Sequence, residues 1–232
     1  MPDTAKSHNR KQEFLATALE LFYTKGYEHT TIQDIIDRMG VSKGAFYHYF
    51  ESKEDVIISI AMDYTDRAVR MIKQIIDRND LNAVEKINQV FSSMNEYKYR
   101  EREWRNKFKG AIKSEENLKL QNKLIHYMKR DAIDLFEELF VKGNEEGVIG
   151  DPVNTAELAD FFLNTIFSLN IAVDELEYKL YDEDDELDNQ AFLKKLDQKV
   201  RFYENMLERI LQVKEGSINL KTAYMIRIKG LE

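Results

Sequence analysis

Residues 30–55 read TTIQDIIDRMGVSKGAFYHYFESKED and contain two helix patterns separated by a glycine. Thr31, followed three positions later by Asp34, predicts a capping box, and the apolar residues after it recur at helical spacing. Gly40 can adopt the left-handed conformation that ends a helix, and Ser42 can cap the next one. The stretch therefore predicts two short helices joined by a tight turn.

The second predicted helix covers residues 43–49, and its two sides differ in character. Phe46 and Phe50 lie four positions apart and are expected to anchor the helix inward. Tyr47 and His48 then face outward, where a hydroxyl and an imidazole can reach phosphate oxygens. The first turn combines one lysine with two small residues, which allows close approach to a groove, and a helix N-terminus favours phosphate.

A third helix is predicted to start at Ser52, which forms a second capping box with Asp55. Lys53 occupies the first turn of this helix, where a cation opposes the helix dipole. We therefore expect Lys53 to have a role other than stabilising this helix, such as holding a phosphate.

An ordinary helical hairpin would use the same glycine and caps only to stop and start helices. The combination of residues, however, resembles the TetR family of transcriptional regulators, whose recognition helix commonly reads S-x-G-x-x-Y-x-x-F followed by a lysine. The corresponding positions are Ser42, Gly44, Tyr47, Phe50 and Lys53. Residues 14–31, FLATALELFYTKGYEHTT, also resemble this family, and the resemblance covers about the first 60 residues.

The resemblance implies a homodimeric repressor that binds a palindromic operator and is released by a small-molecule effector. It implies base-edge contacts from the first turn of the recognition helix, namely Lys43, Gly44 and Ala45. It implies phosphate contacts from Thr31, Ser42, Tyr47, His48 and Lys53. Tyr49 is included in the predicted DNA-binding surface at a position where the family often has histidine.

The charge of the chain limits what non-specific DNA binding can contribute. The net charge is −8, and residues 1–55 hold seven Lys and Arg against nine Asp and Glu. We therefore expect few neutralised phosphates and weak binding to random DNA. A local positive face is still predicted, formed by Lys6, Arg10, Lys11, Lys43 and Lys53.

Composition predicts an all-α fold, because the 232 residues include only two prolines and nine glycines and almost no alternating strand pattern. We expect a three-helix DNA-binding domain over residues 1–55 and a helical effector-binding and dimerisation domain over residues 56–232. The absence of cysteine excludes disulfides and thiolate metal sites. No uninterrupted apolar run reaches the roughly 18 residues of a membrane span, so a cytoplasmic protein is expected.

Two long helices are predicted in the second domain, one from Asp151–Pro152 to about Lys179 and one after the acidic run 182–188, which we interpret as a solvated loop. Both carry apolar residues at alternating steps of three and four, a spacing typical of helical bundles. These seams can pack inside one subunit or against a second subunit, and the family resemblance favours the second interpretation. The predicted dimer interface consists of Leu158, Phe162, Thr165, Leu169, Leu193, Leu196, Val200, Tyr203, Leu207 and Ile210.

The resemblance also implies an effector pocket among the helices of the second domain. The candidate lining residues are Phe91, Met94, Trp104, Phe108, His126, Tyr127, Phe161, Asn164, Phe167 and Asn170. Asn164 and Asn170 are of interest because a buried amide needs a hydrogen-bond partner that a ligand could supply. We expect an effector with a large apolar part, and seven basic residues within 98–113 form either a solvated face or an entrance for an anionic ligand.

Enzymatic function is not expected, and neither is a metal or another cofactor. None of the four histidines follows a glutamate at the spacing that carboxylate-bridged metal bundles require, and no phosphate-binding glycine loop or G-x-S-x-G motif occurs. The alternative function is a helical small-molecule-binding or protein-adaptor module without DNA binding. The segment 217–232 either caps the bundle or is flexible.

Overall fold

The computed structural model describes residues 3–113, 117–151, 154–180 and 188–227, and all regular elements in these ranges are helices. This confirms the predicted all-α fold. The helices are α1 (Asp3–Lys25), α2 (Ile32–Met39), α3 (Lys43–Tyr47), α4 (Lys53–Ile76), α5 (Ala83–Arg100), α6 (Arg102–Ile112), α7 (Leu118–Glu145), α8 (Thr155–Leu180), α9 (Asn189–Leu211) and α10 (Leu220–Arg227). Pro152, residues 182–187 of the acidic run and the side chain of Lys6 lie outside the described part.

The helices form two compact units. Unit 1 combines Met1–Arg67 with Glu101–Met128, and unit 2 combines Ala68–Arg100 with Lys129–Glu232. Each unit is therefore discontinuous in sequence, and the residues of α4 and of α7 are divided between the two units.

The core of unit 1 is built around aromatic side chains from its first 67 residues. Phe14, Phe22, Phe46 and Phe50 are almost completely buried. A second group, from the segment after residue 100, completes this core and comprises Phe108, Ala111, Leu120 and Leu124. Burial of these side chains supplies most of the stabilisation, at roughly 1.5–3 kcal/mol for each large one.

Helix α6 includes Gly110, although glycine disfavours the interior of a helix. A Cβ at this position would lie 3.1 Å from the ring of Tyr23 on α1, so a larger residue would require that ring to shift by a few tenths of an ångström. Next to this contact, the Tyr27 N–H donates to the carbonyl oxygen of Ala111 at 3.3 Å. The glycine therefore allows α1 and α6 to approach each other within unit 1.

The described part of the C-terminal segment packs against α5 and α9 in unit 2. Ile218, Leu220 and Tyr224 are buried. The side-chain amide of Asn88 holds the preceding turn, because its Nδ2 donates to the Ser217 carbonyl oxygen at 2.7 Å and its Oδ1 accepts from the Asn219 N–H at 2.8 Å. The sequence left open whether the segment 217–232 caps the bundle or is flexible. Up to Tyr224, its residues cap the bundle.

Helix α8 is the most apolar helix of unit 2. By length and composition alone, its residues Thr155–Glu177 could cross a membrane, with a mean hydropathy of 1.3. The core helix of a soluble protein passes the same test, and α8 packs against α9 with Phe162, Leu169 and Val173 fully buried. The uninterrupted-run criterion used on the sequence had missed this stretch.

Candidate DNA-binding surface

The turn between α2 and α3 is formed by the signals that the sequence predicted. Thr31 and Asp34 make a complete capping box, with the Asp34 N–H donating to Thr31 Oγ1 at 3.1 Å and the Thr31 N–H donating to Asp34 Oδ2 at 2.8 Å. Gly40 adopts φ 62° and ψ 39°, which is the left-handed region. Ser42 Oγ accepts from the Ala45 N–H at 3.2 Å and caps α3. The turn is thus fixed on both sides, by Gly40 at the end of α2 and by Ser42 at the start of α3.

Asp34 has a second partner in addition to the cap. Lys25 Nζ lies 2.7 Å from Asp34 Oδ1. The hydrogen bond from Lys25, followed by those from the Thr31 backbone and side chain, holds the pKa of Asp34 well below its usual range. The carboxylate is therefore charged at neutral pH and complements the N-terminal dipole of α2.

Helix α3 is anchored on one side by aromatic packing. Phe46 is fully buried, and its ring centroid lies 5.9 Å from that of Phe14 and 5.7 Å from that of Phe50. On the other side, Tyr47 is 48% exposed and His48 is also exposed. The predicted division between inward and outward residues is confirmed.

The first turn of α3 presents Lys43 and Gly44 to solvent, and Ala45 is partly buried. A Cβ on Gly44 would meet nothing nearer than Ser42 Oγ at 3.9 Å, so this position has open space around it. Lys43 Nζ lies 5.9 Å above the ring of Tyr47, one turn further along the helix. A cation, a small surface and an aromatic hydroxyl therefore share one exposed face.

Helix α3 is shorter than predicted, because it ends at Tyr47 rather than near Tyr49. The chain tightens there, as the Tyr49 N–H donates to the Phe46 carbonyl oxygen at 2.9 Å. Tyr49 is half-buried, and its ring centroid lies 5.6 Å from that of Phe14. Part of this side chain consequently belongs to the core of unit 1.

Lys53 contacts the protein rather than extending into solvent. Its Nζ donates to the carbonyl oxygens of Tyr27 at 2.7 Å and Glu28 at 3.2 Å. Of the other predicted basic residues, Arg10 pairs with Glu13, and Lys11 Nζ lies 5.7 Å from the Phe50 ring centroid. The basic surface at the DNA-binding end is accordingly small.

The ten predicted pocket residues fall in both units. Trp104, Phe108, His126 and Tyr127 belong to unit 1, where Trp104 stacks between Tyr64 at 4.5 Å and Phe108 at 5.1 Å. His126 is exposed. Trp104 and Phe108 therefore already contribute to the core of unit 1.

In unit 2, Phe91 is buried and stacks on Phe162, Met94 packs against the same core, and Phe167 lies under the Lys129 ammonium at 5.3 Å. Phe161 is 50% exposed, and Asn164 is exposed and bonded to Asp160 and Lys129.

Asn170 differs from Asn164, because it is half-buried and its partners are supplied by the protein. Its Oδ1 accepts from Lys98 Nζ at 2.6 Å and from the Tyr224 hydroxyl at 2.9 Å, and its Nδ2 donates to the Ile166 carbonyl oxygen at 2.8 Å. This polar group links α5, α8 and α10. The sequence gives no sign of this group, because Lys98, Asn170 and Tyr224 are far apart in the chain.

The predicted dimer residues are mostly covered within the chain. Six of them, Leu158, Phe162, Leu169, Leu196, Val200 and Leu207, are buried, and Thr165, Leu193, Tyr203 and Ile210 are partly buried. The six buried residues therefore pack inside one subunit, which is the first of the two interpretations of the apolar seams. Among the side chains that the structure describes on these two helices, the large apolar ones that are exposed are Phe161, Ile171 and Phe202.

Within the described ranges, no group of three or more His, Asp or Glu side chains lies close enough to hold a metal ion.

These features define a helix-turn-helix protein, with a capped two-helix corner and an exposed second helix on an aromatic core. Residues 14–60 match the profile of the bacterial regulatory proteins of the tetR family. The likeness to this family is thus established for the helix-turn-helix part of the chain, which includes α2, α3 and the start of α4.

Comparisons with other proteins agree with this assignment. Over 91 residues the chain is 33% identical to the HTH-type transcriptional repressor KstR2 of Mycolicibacterium smegmatis, covering 39% of this chain and 44% of the relative. The chain spans less than half the length of the first curated relatives that it matches. The named relatives are transcriptional regulators.

Solved structures share the fold over most of the chain. A TetR-family transcriptional regulator from Pectobacterium atrosepticum matches with a TM-score of 0.59 and 17% identity, over 89% of this chain and 96% of that one. The transcriptional regulator FadR from Bacillus subtilis, solved in complex with stearoyl-CoA, matches with a TM-score of 0.56 and 18% identity, over 90% and 99%. At these identities the likeness concerns the fold alone.

Proposed function

We propose that this protein is a ligand-responsive transcriptional repressor of the bacterial cytoplasm, which binds a palindromic operator as a homodimer. The observation that carries the proposal is the division of α3 into a buried aromatic side and an exposed side. Phe46 fixes the helix in the core, whereas Lys43, Gly44, Tyr47 and His48 are exposed. A rigid helix with this exposed composition suits insertion into a major groove.

The proposed contacts follow the exposure of each side chain. Lys43, Gly44 and Ala45 read base edges, and Tyr47 and His48 hold phosphates. Thr31 and Ser42 lie at helix N-termini, where backbone N–H groups and hydroxyls favour phosphate. In this proposal the two recognition helices of a dimer lie about one helical turn of DNA, roughly 34 Å, apart or somewhat more.

The dimer is proposed to form through the outward face of α8 and α9. Phe161 and Ile171 are each 50% exposed, and Phe202 is 62% exposed. The Ser168 hydroxyl lies 3.4 Å from the Tyr203 hydroxyl, a contact that joins the two helices on their more exposed sides. Large exposed apolar side chains on adjacent helices mark protein interfaces, so this face replaces the buried seam residues in the proposal.

The effector is proposed to bind in the helical domain and to carry a large apolar part. Of the predicted residues of unit 2, Met94 and Phe167 are only partly buried and offer apolar and aromatic surface, whereas Phe91 is already packed in the core. The FadR structure, solved in complex with stearoyl-CoA, holds a compound of this class within a similar fold. Within the same unit, Lys98 and Arg100 supply positive charge that would suit an acidic head group on it.

Helix α4 is proposed to transmit effector binding to the reader. It is one continuous helix whose residues are divided between the two units, and Ser52 caps it by accepting from the Asp55 N–H at 3.0 Å. An effector that prefers a different tilt of α4 changes the spacing of the two recognition helices. Typical coupling free energies for such changes are about 1–3 kcal/mol.

The test is selection of bound sequences from a random duplex pool, followed by salt titration on the selected duplex. The expected result is an enriched palindrome whose two half-sites lie about one DNA turn apart. A variant with Tyr47→Ala should lose binding, whereas Lys214→Ala, which removes an exposed lysine in the turn after α9, should not. No enrichment by a folded, dimeric protein would contradict the proposal and favour a helical binding module without DNA-binding activity.

A further inference from the structure

Lys53 lies in the first turn of α4 but contacts the turn between α1 and α2. Its Nζ donates to the Tyr27 carbonyl oxygen at 2.7 Å and to the Glu28 carbonyl oxygen at 3.2 Å. The same ammonium lies 4.4 Å from the centroid of the Tyr27 ring. Two carbonyl dipoles and one aromatic face therefore surround a single cation, and we call this group the Lys53–Tyr27 latch.

The turn that receives Lys53 is ordered by several further contacts. The Thr30 N–H donates to the same Tyr27 carbonyl oxygen at 3.3 Å, and Thr30 Oγ1 donates to the Gly26 carbonyl oxygen at 2.8 Å. Thr30 is completely buried, and the Tyr27 ring packs edge-on against Phe22 with centroids 5.2 Å apart. The residue after this turn is Thr31, whose capping box starts α2. The position of the turn consequently sets where α2 begins.

The electrostatics agree with an internal role for this lysine. A cation in the first turn of a helix opposes the helix dipole, so the position gains nothing from α4 itself. Burial lowers the pKa of Lys53, against the opposing effect of Glu28. Burial also raises the pKa of Tyr27 to about 12. The carbonyl oxygens offset the loss of hydration and take two of the three N–H donors of the ammonium.

We infer that Lys53 is a positioning residue, which ties the first turn of α4 to the turn before α2 and so fixes the recognition helix relative to α4. This replaces the phosphate contact predicted for Lys53 from the sequence. The inference rests on the proposed function only where it is tested by DNA affinity. Its second test, amide hydrogen exchange, does not depend on DNA binding. Its geometric part concerns unit 1 alone.

The first experiment compares Lys53→Met with Lys43→Met by salt titration on the selected duplex. A residue that contacts a phosphate contributes about 0.9 to the slope of log K against log salt concentration. We expect Lys43→Met to alter the base preference within each half-site, because Lys43 is proposed to read base edges. We expect Lys53→Met to lower affinity roughly tenfold at every salt concentration, with the slope unchanged. A reduced slope in Lys53→Met would overturn the inference.

The second experiment uses no DNA and measures amide hydrogen exchange in the free protein. In Lys53→Met the Thr30 N–H should exchange about tenfold faster, because its acceptor turn has lost the latch. The Ile57 N–H, one turn further along α4, should be unchanged. Lys53→Arg should restore most of the protection, since a guanidinium can donate to both carbonyl oxygens and stack on the Tyr27 ring.

The two experiments separate the failure of the inference from the failure of the proposed function. If wild-type protein selects no duplex, the proposed function fails and the exchange of Thr30 still decides whether the latch orders the turn. If wild-type protein binds an operator and Lys53→Met leaves both affinity and Thr30 exchange unchanged, the latch is overturned and the repressor proposal stands.

Discussion

The sequence predicts more about the corner formed by α2 and α3 than about the pair formed by α8 and α9. In the corner, the caps, the turn glycine and the burial of Phe46 agree with prediction. In the pair, the helices are present, yet most of the residues assigned to a contact between subunits are buried inside the chain. The short-range hydrogen bonds of the corner can therefore be predicted from the sequence. An apolar seam predicts that its residues are buried, but it does not predict which surface buries them.

The reason lies in what each pattern encodes. A capping box or a left-handed glycine involves atoms within four residues, so the sequence contains both partners. A heptad seam names one partner only, and its second partner is any other apolar face. Leu169 and Ile171 lie two positions apart on α8, but the first is buried and the second half-exposed.

The largest effect is expected for the aromatic anchor of the corner. Phe46→Ala should lower the free energy of unfolding by about 3–5 kcal/mol, because the ring is fully buried between Phe14 and Phe50. Tyr47→Ala, at the adjacent exposed position, should change it by less than about 0.5 kcal/mol while abolishing operator binding. Chemical denaturation and gel-shift titration measure the two quantities. Equal destabilisation by both variants would mean that the two sides of α3 do not differ.

The second prediction applies the same contrast to α8. Leu169→Ala should lower the free energy of unfolding by about 2–5 kcal/mol, because its side chain is fully buried. Ile171→Glu should leave the fold intact and convert the dimer to monomer, because a charge would then lie in the proposed interface. Denaturation and sedimentation velocity distinguish the two effects. A folded dimer carrying Ile171→Glu would exclude this face as the interface.

The third prediction concerns the two glycines of the corner. Gly40→Ala should destabilise by about 1 kcal/mol, because Gly40 has φ 62° and a Cβ is unfavourable in the left-handed region. Gly44→Ala is the matched control, since its surroundings are open and its φ is not positive; it should be neutral or slightly stabilising. Thermal unfolding of both variants is the measurement, and a destabilised Gly44→Ala would contradict it.

The smallest effect is expected from acidification. Because the pKa of Asp34 is lowered in the folded protein, its contribution to stability is present above the ordinary value of 3.8 and is lost as the pH falls below it. Asp34→Asn should therefore be less stable than wild type at neutral pH, and the difference should narrow as the pH falls below about 4. Denaturation midpoints of both proteins between pH 3 and pH 7 provide the check. A difference that is independent of pH would remove the electrostatic explanation.

The limits of prediction from sequence have specific physical causes. Lys53 was recognised as unusual because it opposes the helix dipole, but its partners lie 25 and 26 residues earlier in the chain, and only the folded structure brings them together. Glycine disfavours the interior of a helix, yet Gly110 lies inside α6, where the Tyr23 ring leaves little room for a Cβ. In both cases a tertiary contact outweighed a correctly read local preference.

The discontinuous core of unit 1 constrains how this protein can exchange parts during evolution. The segment that matches the family profile ends at residue 60, whereas the core beneath it also includes Phe108, Ala111, Leu120 and Leu124. Recombination that joined a foreign reader to this chain near residue 60 would bring together two halves of a core that had not been selected together. A chimera that kept this core intact would transfer residues 101–128 together with the reader, although that part of the sequence contains none of the residues proposed to contact DNA.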